Sequence, residues 1–542
     1  MLAAGNTASA QIPDDKLQQF INSKDNSIVG IQLRHREKLE QVYSERDFIP
    51  LWSANGQYTD TCHAIVKKLG NSSILGLHPS RYYTQILDSW LHTQDWQSTT
   101  NLELVLTDAL FEYFDNLANG QTGKRPGDSD SWFASQDVTK VDAIAFDFFR
   151  GNKSFRETIN QLQPMSQHYT NLLVALRDHH QIVKNGGFTT VDTGAALKPG
   201  MQNHRVAQLR NRLSQSGDYS DNTFNPDQFD SWLEEGLIKF QTRHGLEADG
   251  VVGSKTLKAL NTTAEERISQ IEVNLDRWRW LPQDLGDNNI VVNTAGFQMD
   301  VVLNGYRELN MNVVVGKPKH KTPVFSEEME HLIFNPSWNV PKSIASKELL
   351  PKEIQNPGYL ENKNFVAVSS ADQRTRSISS FSQHELEPAN FNSQYRLKQL
   401  PGSNNALGTV KFMLPNKYAI YLHDTNAKSL FEKTTRAFSH GCIRVEDPVK
   451  LAKTLLMNEG HSESSVEERF ASSKSKMIRL NQTLPVHMTY QTAWVDQYGT
   501  LNFRDDIYHH DRQALRHYED QRPSQAQEER RLLTQMSSFA SI

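Results

Sequence analysis

Two cysteines occur in the 542 residues, and one of them stands among groups that suit covalent chemistry. Cys442 lies in the run Ser439-His440-Gly441-Cys442-Ile443-Arg444, and His423 precedes it by 19 positions in Leu422-His423-Asp424-Thr425. A thiol of pKa about 8.5 is only a few per cent thiolate at neutral pH, so a nucleophilic cysteine needs a neighbour that takes its proton. Imidazole is the side chain best suited to the task. A strand end and a returning loop can bring His423 to the sulfur, whereas His440, two positions from it, is free to point elsewhere. The backbone carbonyl of Asp424 is placed to accept the other imidazole N–H and fix the tautomer. Gly441 permits a backbone conformation closed to other residues and would expose the amides of Gly441 and Cys442 as an oxyanion hole. Arg444 suits bidentate capture of a carboxylate. Together these groups would suit nucleophilic catalysis by the thiol. Against them stand an inert buried thiol, the usual state of a lone cysteine, and a zinc site built from His423, His440 and Cys442. No second Cys-x-x-Cys or His-x-x-x-His completes the zinc ligand set, so neither metal nor cofactor is expected. Cys62, in Thr61-Cys62-His63-Ala64-Ile65-Val66, reads as a small apolar residue of a helix, and no disulfide framework is encoded.

The elements that must hold this set announce themselves by a change of period. A helix is expected around 264 to 280, within a connecting segment at 263–285. Beyond it Met299, Val301 and Leu303 alternate, Asn304-Gly305 supplies a tight turn, and Leu309, Met311, Val313 and Val315 alternate again. That pattern is a β-hairpin opening a β-rich domain at 286–513. Tyr418, Ile420 and Leu422 alternate and lead into His423, so the base is expected at a strand end. Asp447-Pro448 reads as N-cap and first helical residue, which starts a helix near 448, after the thiol. From Pro341 to about Gly402 the strand pattern gives way to a polar, partly helical stretch; a structureless loop of about sixty residues is unusual in a compact domain, so 342–402 is expected to form a lid.

At about 150 residues per domain the chain implies three or four domains. Residues 13–187 read as helical, with Leu106, Leu110, Phe114 and Leu117 on one helix face and a Gly-rich loop over 119–130. Residues 188–262 read as a small helical bundle: Val206, Leu209 and Leu213 form one stripe, and Phe229, Leu233, Leu237 and Phe240 another, with Gly245 closing one helix and Ser254 capping the next. The segment 1–12, with Ala8-Ser9-Ala10, resembles the end of a secretory signal but lacks its basic and full apolar regions, and reads as truncated or, alternatively, as an Ala-rich terminus. Residues 514–542 read as a polar tail. A net charge of -5 speaks against nucleic acid as partner. No run approaches the roughly 20 apolar residues of a membrane span.

The segments Ile420-Tyr421-Leu422-His423-Asp424-Thr425 and Ser439-His440-Gly441-Cys442-Ile443-Arg444-Val445 resemble the signature of the YkuD-type L,D-transpeptidases. Val315-Gly316-Lys317, Thr322-Pro323-Val324-Phe325, Asn335-Pro336-Ser337-Trp338-Asn339-Val340-Pro341 and the run from Leu400 to Gly408 resemble the long, multi-domain Gram-negative branch of that family. The entry Leu197-Lys198-Pro199-Gly200 and the turn Asp249-Gly250-x-x-Gly253 resemble the three-helix peptidoglycan-binding domain, the alternative being a helical spacer without a ligand. The resemblance implies a multi-domain α+β protein: a helical N-terminal scaffold, a three-helix peptidoglycan-binding bundle and a β-rich catalytic domain with an inserted capping subdomain. It makes Cys442 the acylated nucleophile, His423 the base and the Asp424 carbonyl its orienting group; this branch often has Gly after the His, so Asp424 is a departure. Tyr421, Ser439, His440, Gly441, Arg444 and Trp338 match residues around the donor site. The implied partners are peptidoglycan stem peptides, a tetrapeptide donor and a diaminopimelate acceptor, together with other wall synthases. The implied product is a 3→3 cross-link with release of D-alanine, in the periplasm, with carbapenems acylating the same sulfur. Two rivals are an L,D-carboxypeptidase or wall-protein-detaching hydrolase with the same residues, and a wall-binding scaffold without catalysis.

Overall fold

The computed structural model describes residues 14–23, 25–92, 96–121, 138–220, 225–516 and 518. The signal-like segment at 1–12, the Gly-rich loop beyond residue 121 and the tail from 519 lie outside the described residues. The chain forms two compact units, Met1–Asp284 with Gln491–Ile542, and Leu285–Tyr490. No described helix is long and apolar enough to cross a membrane.

In the first unit the helix Trp96–Asn119 buries Leu106, Leu110, Phe114 and Leu117 completely, the face their spacing predicts. The same helix buries Glu103, whose carboxylate accepts the backbone N–H groups of Leu51 (2.9 Å) and Trp52 (2.8 Å). Burial pushes that carboxyl up to about 7. Cys62 is fully buried in the helix Asp60–Gly70, and burial raises its thiol far above the ordinary range.

Three helices, His204–Gln215, Ser231–Arg243 and Ser254–Leu260, close around Leu209, Leu213, Leu233, Leu237 and Phe240. Asn203 and Asp230 cap the first two by accepting the N–H groups of Arg205 and Leu233. Gly253, not Ser254, occupies the capping position of the third, so Ser254 begins that helix instead of capping it. A capping box of Thr263 and Glu266 then starts the helix Ala264–Arg279.

Two boundaries differ from expectation. The second unit ends at Tyr490, so residues 491–513 do not belong to the β-rich domain. They form a hairpin of Ala493–Val495 with Leu501–Phe503 held by the helix Ala264–Arg279: Thr492 N–H donates to Asn274 Oδ1 (2.9 Å), and Arg277 pairs with Asp511 (2.6 Å). Nor is the polar tail solvated from 514, since Ala514 and Tyr518 pack on Val273 and the Tyr518 hydroxyl donates to Asp276. Both misreadings arise because buried polar anchors, invisible to hydrophobic periodicity, tie the C-terminal segment down.

The second unit is built on nine strands: β1 (Asn289–Asn293), β2 (Gln298–Leu303), β3 (Tyr306–Gly316), β4 (Phe325–Phe334), β5 (Val410–Met413), β6 (Leu422–His423), β7 (Ala437–Ser439), β8 (Ile443–Val445) and β9 (Lys476–Thr489). Their order is β7-β3-β8-β6-β5-β4-β9-β1-β2, and β2 also pairs with β3, so the sheet closes on itself. Asn304 and Gly305 form the two-residue turn that joins the Leu303–Tyr306 pair of β2 and β3, both at positive φ, as the Asn-Gly dipeptide predicts. Val313 and Val315 of β3 face a fully buried core with Val301 and Ile443.

The insert at 342–402 is a subdomain with a core of its own, formed by Leu350, Phe365, Ala367, Phe391 and Leu397 among others. It carries helices, but also an antiparallel sheet in the order Thr375–Ser377, Phe365–Ser369, Tyr395–Gln399 and Trp338–Asn339. The strand content escapes the sequence reading because these strands are short and half of each faces water. Through Trp338–Asn339 the insert's sheet is tied to the segment that follows β4.

Candidate active site

The base and the nucleophile are carried on neighbouring strands. β6 and β8 run parallel with Leu422 opposite Ile443 and His423 opposite Arg444, and Ile443 N–H donates to Tyr421 O at 3.1 Å. Cys442, at the mouth of β8, is thereby set against Tyr421, two positions before His423. The alternation of Tyr418, Ile420 and Leu422 predicts a longer strand than the structure has, because Asn416 folds the chain back. Its Oδ1 accepts the N–H groups of Tyr418 (3.0 Å) and Ile420 (3.1 Å), its Nδ2 donates to Ile420 O (2.7 Å), and Ala419 takes a left-handed φ of 55°. This loop aims Ala419 O at the Cys442 sulfur, 3.7 Å away.

The turn of the nucleophile is fixed from beneath. Thr322 Oγ1 accepts Gly316 N–H (3.0 Å) and donates to Gly441 O (2.7 Å), while Lys317 N–H donates to Ser439 O (3.0 Å). Ser439 Oγ donates to Cys442 O (2.6 Å) and accepts Gly441 N–H (3.0 Å). Gly441 sits at φ 120°, a conformation that a side chain would strain. Its amide was expected to serve an oxyanion hole together with that of Cys442; instead it is committed to Ser439, and its work is to shape the turn.

A cavity of about 560 Å³ opens over these elements. Trp338, Tyr421, His423, Ser439, His440, Cys442 and Arg444 all line it, whereas Asp424 and Gly441 are not among its lining residues. Glu348, Lys411 and Ala419 line it too, unforeseen from the sequence. Lys411 is a lone cation between apolar strand residues, a weak signal; Glu348 reaches the cavity from the insert and has no local signal at all.

His423 is buried, and its Nδ1 donates to Asp424 O at 2.5 Å, so Nε2 carries no proton. Burial, reinforced by Arg444, pushes its pKa down to about 3. Asp424 owes its own position to four contacts of its carboxylate, from Thr409 N–H (2.8 Å), Thr409 Oγ1 (2.9 Å), Thr425 N–H (2.6 Å) and Lys428 (2.8 Å). Burial raises the Cys442 thiol, and the Tyr421 backbone N–H, Lys411, the Tyr421 hydroxyl and Arg444 oppose it without reversing it. Thiol and imidazole are therefore both neutral at rest. Lys411 Nζ stands 3.6 Å over the Tyr421 ring, and burial lowers its pKa as it lowers that of Arg444. Arg444 Nε is buried without a partner among the described residues. Two incompletely compensated cations flanking a sulfur prepare the cavity for a ligand that brings negative charge.

The insert touches the nucleophile's turn at one ionic contact, His440 Nε2 to Glu348 Oε1 at 2.6 Å. Burial works against the Glu348 carboxylate, but His440 outweighs it and holds that group below the usual range.

Buried neutral histidines make this unit acid-sensitive. His423 and His487, the latter pushed by burial to about 4, protonate readily only when unfolded. Depressed imidazole pKa values leave stability intact above about 6.5 and remove it as the pH falls toward the folded values. At pH 5 each group costs about 2 kcal/mol, roughly 4 kcal/mol for the pair. Denaturant titration at pH 7.5 and pH 5 checks this; equal midpoints for the second unit would contradict it.

Models of known domains match three stretches of the chain. Residues 287–462 match the YkuD L,D-transpeptidase catalytic domain, residues 37–176 a scaffold domain, and residues 202–260 a model described as "Putative peptidoglycan binding domain". A protein of Haemophilus influenzae named "Putative L,D-transpeptidase" is 31% identical over 314 residues, which span 57% of this chain and 63% of that protein. Among solved structures, an L,D-transpeptidase from Stackebrandtia nassauensis is 13% identical, with a TM-score of 0.21 over 55% of this chain and 96% of its own. One from Xylanimonas cellulosilytica is 12% identical, with a TM-score of 0.15 over 55% and 98%. Those two likenesses are too low to add to the domain matches. This chain thus carries a YkuD L,D-transpeptidase catalytic domain together with a scaffold domain and a peptidoglycan-binding domain.

Proposed function

We propose that the protein is an L,D-transpeptidase of the periplasm that forms 3→3 cross-links in peptidoglycan through a thioester on Cys442. The observation that carries this reading is that one cavity, flanked by Arg444 and Lys411, is lined by both the Cys442 thiol and an imidazole whose Nε2 is unprotonated. The sulfur turns from Ala419 O toward His423 Nε2 and attacks the carbonyl of the third stem residue, passing its proton to that nitrogen as the bond forms. The negative oxygen meets the Cys442 amide and the Tyr421 hydroxyl, which burial keeps protonated and which hydrogen-bonds at the sulfur. The C–N bond to D-alanine breaks, His423 returns the proton to the leaving amine, and a thioester remains. The side-chain amine of a diaminopimelate on a second stem then loses a proton to His423, attacks the thioester and frees the thiol. Arg444 and Lys411 suit the carboxylates that both stems carry.

Water in place of the amine gives a tripeptide, the outcome of a carboxypeptidase. The insert over the cavity, latched through Glu348 to His440, favours the amine by excluding water. Mass spectrometry of products from paired stem peptides tests the reading. Cross-linked dimer is expected with wild type, and a few-fold shift toward tripeptide with Glu348→Gln; tripeptide alone from wild type would make the protein a hydrolase.

A further inference from the structure

Away from the catalytic unit, the first unit contains a second cavity of about 560 Å³ where the helix Gln167–Lys184, the three-helix bundle and the 493–503 hairpin meet. Three arginines line it: Arg212 and Arg267, both buried, and Arg243. One buried carboxylate faces them, Asp218, and it is consumed by Arg243 in a two-point pair, Nε to Oδ1 at 2.6 Å and Nη2 to Oδ2 at 2.5 Å. Asp178 at the rim is well exposed and pairs with Arg177. The other two guanidiniums are only partly satisfied. Arg212 Nε donates to Leu260 O (2.7 Å) while its Nη1 is buried without a partner among the described residues; Arg267 donates to Gln270 (2.8 Å) and Ala259 O (3.3 Å) and is favoured by the Asp505 and Glu266 carboxylates, but its Nε is likewise without a partner.

Such an arrangement opposes folding unless something compensates it. Burying a charged group without a partner is costly, and like charges side by side add to the cost. Burial and then Arg243 push both Arg212 and Arg267 down to about 9, an unusual fate for guanidinium. The two histidines beside them do not add charge: His179 and His244 are kept neutral by burial, and each holds its Nδ1 on a helix carbonyl. Aromatic faces complete the walls, with Phe188 3.6 Å from the Arg212 guanidinium and Phe503 4.3 Å from that of Arg267.

We propose that this cavity is a binding site for an anionic stem-peptide fragment of peptidoglycan, with Arg212 and Arg267 receiving its carboxylates and Phe188 and Phe503 covering its apolar parts. The anion site follows from the incompletely satisfied buried guanidiniums; the identity of the ligand rests on the cell-wall reading above. A volume of this size, part aromatic, suits an organic body with carboxylates better than a bare inorganic anion. The site would anchor the chain to the wall independently of Cys442.

Calorimetric titration of the full chain with a muramoyl dipeptide tests the proposal, because that probe lacks the third residue on which Cys442 would act. Three forms are compared: the L-alanyl-D-glutamate with two free carboxylates, its mono-amide and its di-amide, with inorganic phosphate alongside. Roughly tenfold weaker binding is expected for each carboxylate removed. Arg212→Gln should abolish binding of the dianion. Val174→Trp, at an exposed position on the rim, should do the same without touching the buried network, and cross-linking on soluble stems should persist in both variants. Equal binding of all three peptides, preference for phosphate, or unchanged binding in Val174→Trp would each overturn the proposal, whether or not Cys442 proves to be a nucleophile.

Discussion

His423→Gln is expected to slow acylation of Cys442 by roughly 10³-fold and to change its pH dependence, within the range that a positioned general base supplies. In the wild-type site the imidazole is neutral above about pH 3, and burial holds the thiol protonated well past neutrality. On the proposed mechanism attack would therefore proceed from neutral thiol and neutral imidazole, with the proton passing from sulfur to Nε2 as the bond forms. Between those two limits kcat/KM should be flat, because neither group changes state. In the Gln variant only preformed thiolate reacts, so the rate should climb about tenfold per pH unit toward the thiol's raised pKa. Stopped-flow acylation from pH 5 to 9 separates the two profiles. A wild-type inflection near 6.5, or a flat profile in the variant, would mean that the imidazole is not the buried neutral base described above.

Gly316→Ala should cost about 3 kcal/mol and slow acylation by roughly 10²-fold, although residue 316 touches no substrate. A Cβ at this position would lie 2.0 Å from His320 O, 2.8 Å from Thr322 N and 3.1 Å from the Gly441 Cα. All three are backbone atoms, so no side chain can rotate away. Relief requires moving the 320–322 loop, which breaks the Thr322 bridge to Gly441 O, or moving the turn that carries Cys442. Thermal melting and acylation rates check both effects, with Gly70→Ala, where a Cβ meets nothing within 4 Å, as the comparison. A variant that acylates at the wild-type rate would show that the turn is held some other way.

The parts of this architecture that depend on local chemistry are the legible ones. Asn304-Gly305 dictates the hairpin, Asp447 accepts Lys450 N–H to cap the helix Pro448–Asn458, and the imidazole–carbonyl pair that fixes the tautomer of the candidate base lies within two adjacent residues, His423 and Asp424. What stays hidden depends on partners far apart in the chain. Asn416 overrides the strand period of 418–422 through four side-chain bonds, a competition that alternation does not register. Glu348, carried on the inserted subdomain, meets His440 92 positions further along the chain, a separation that no local pattern registers. The Gly441 amide was assigned by its conformational freedom, but freedom does not tell where an N–H points, and Ser439 takes it. The extent of the catalytic unit was overdrawn because Asn274 and Arg277 claim the segment after Tyr490.

Everything in the mechanism turns on a covalent bond at one sulfur, and intact-protein mass spectrometry of an acid-quenched reaction with a tetrapeptide stem reads that bond directly. Wild type should gain the mass of the donor less D-alanine, localised to Cys442 after digestion, and Cys442→Ala should gain nothing. The same adduct on Cys442→Ala, or turnover by wild type with no adduct when trapped within the first cycle, would contradict the account.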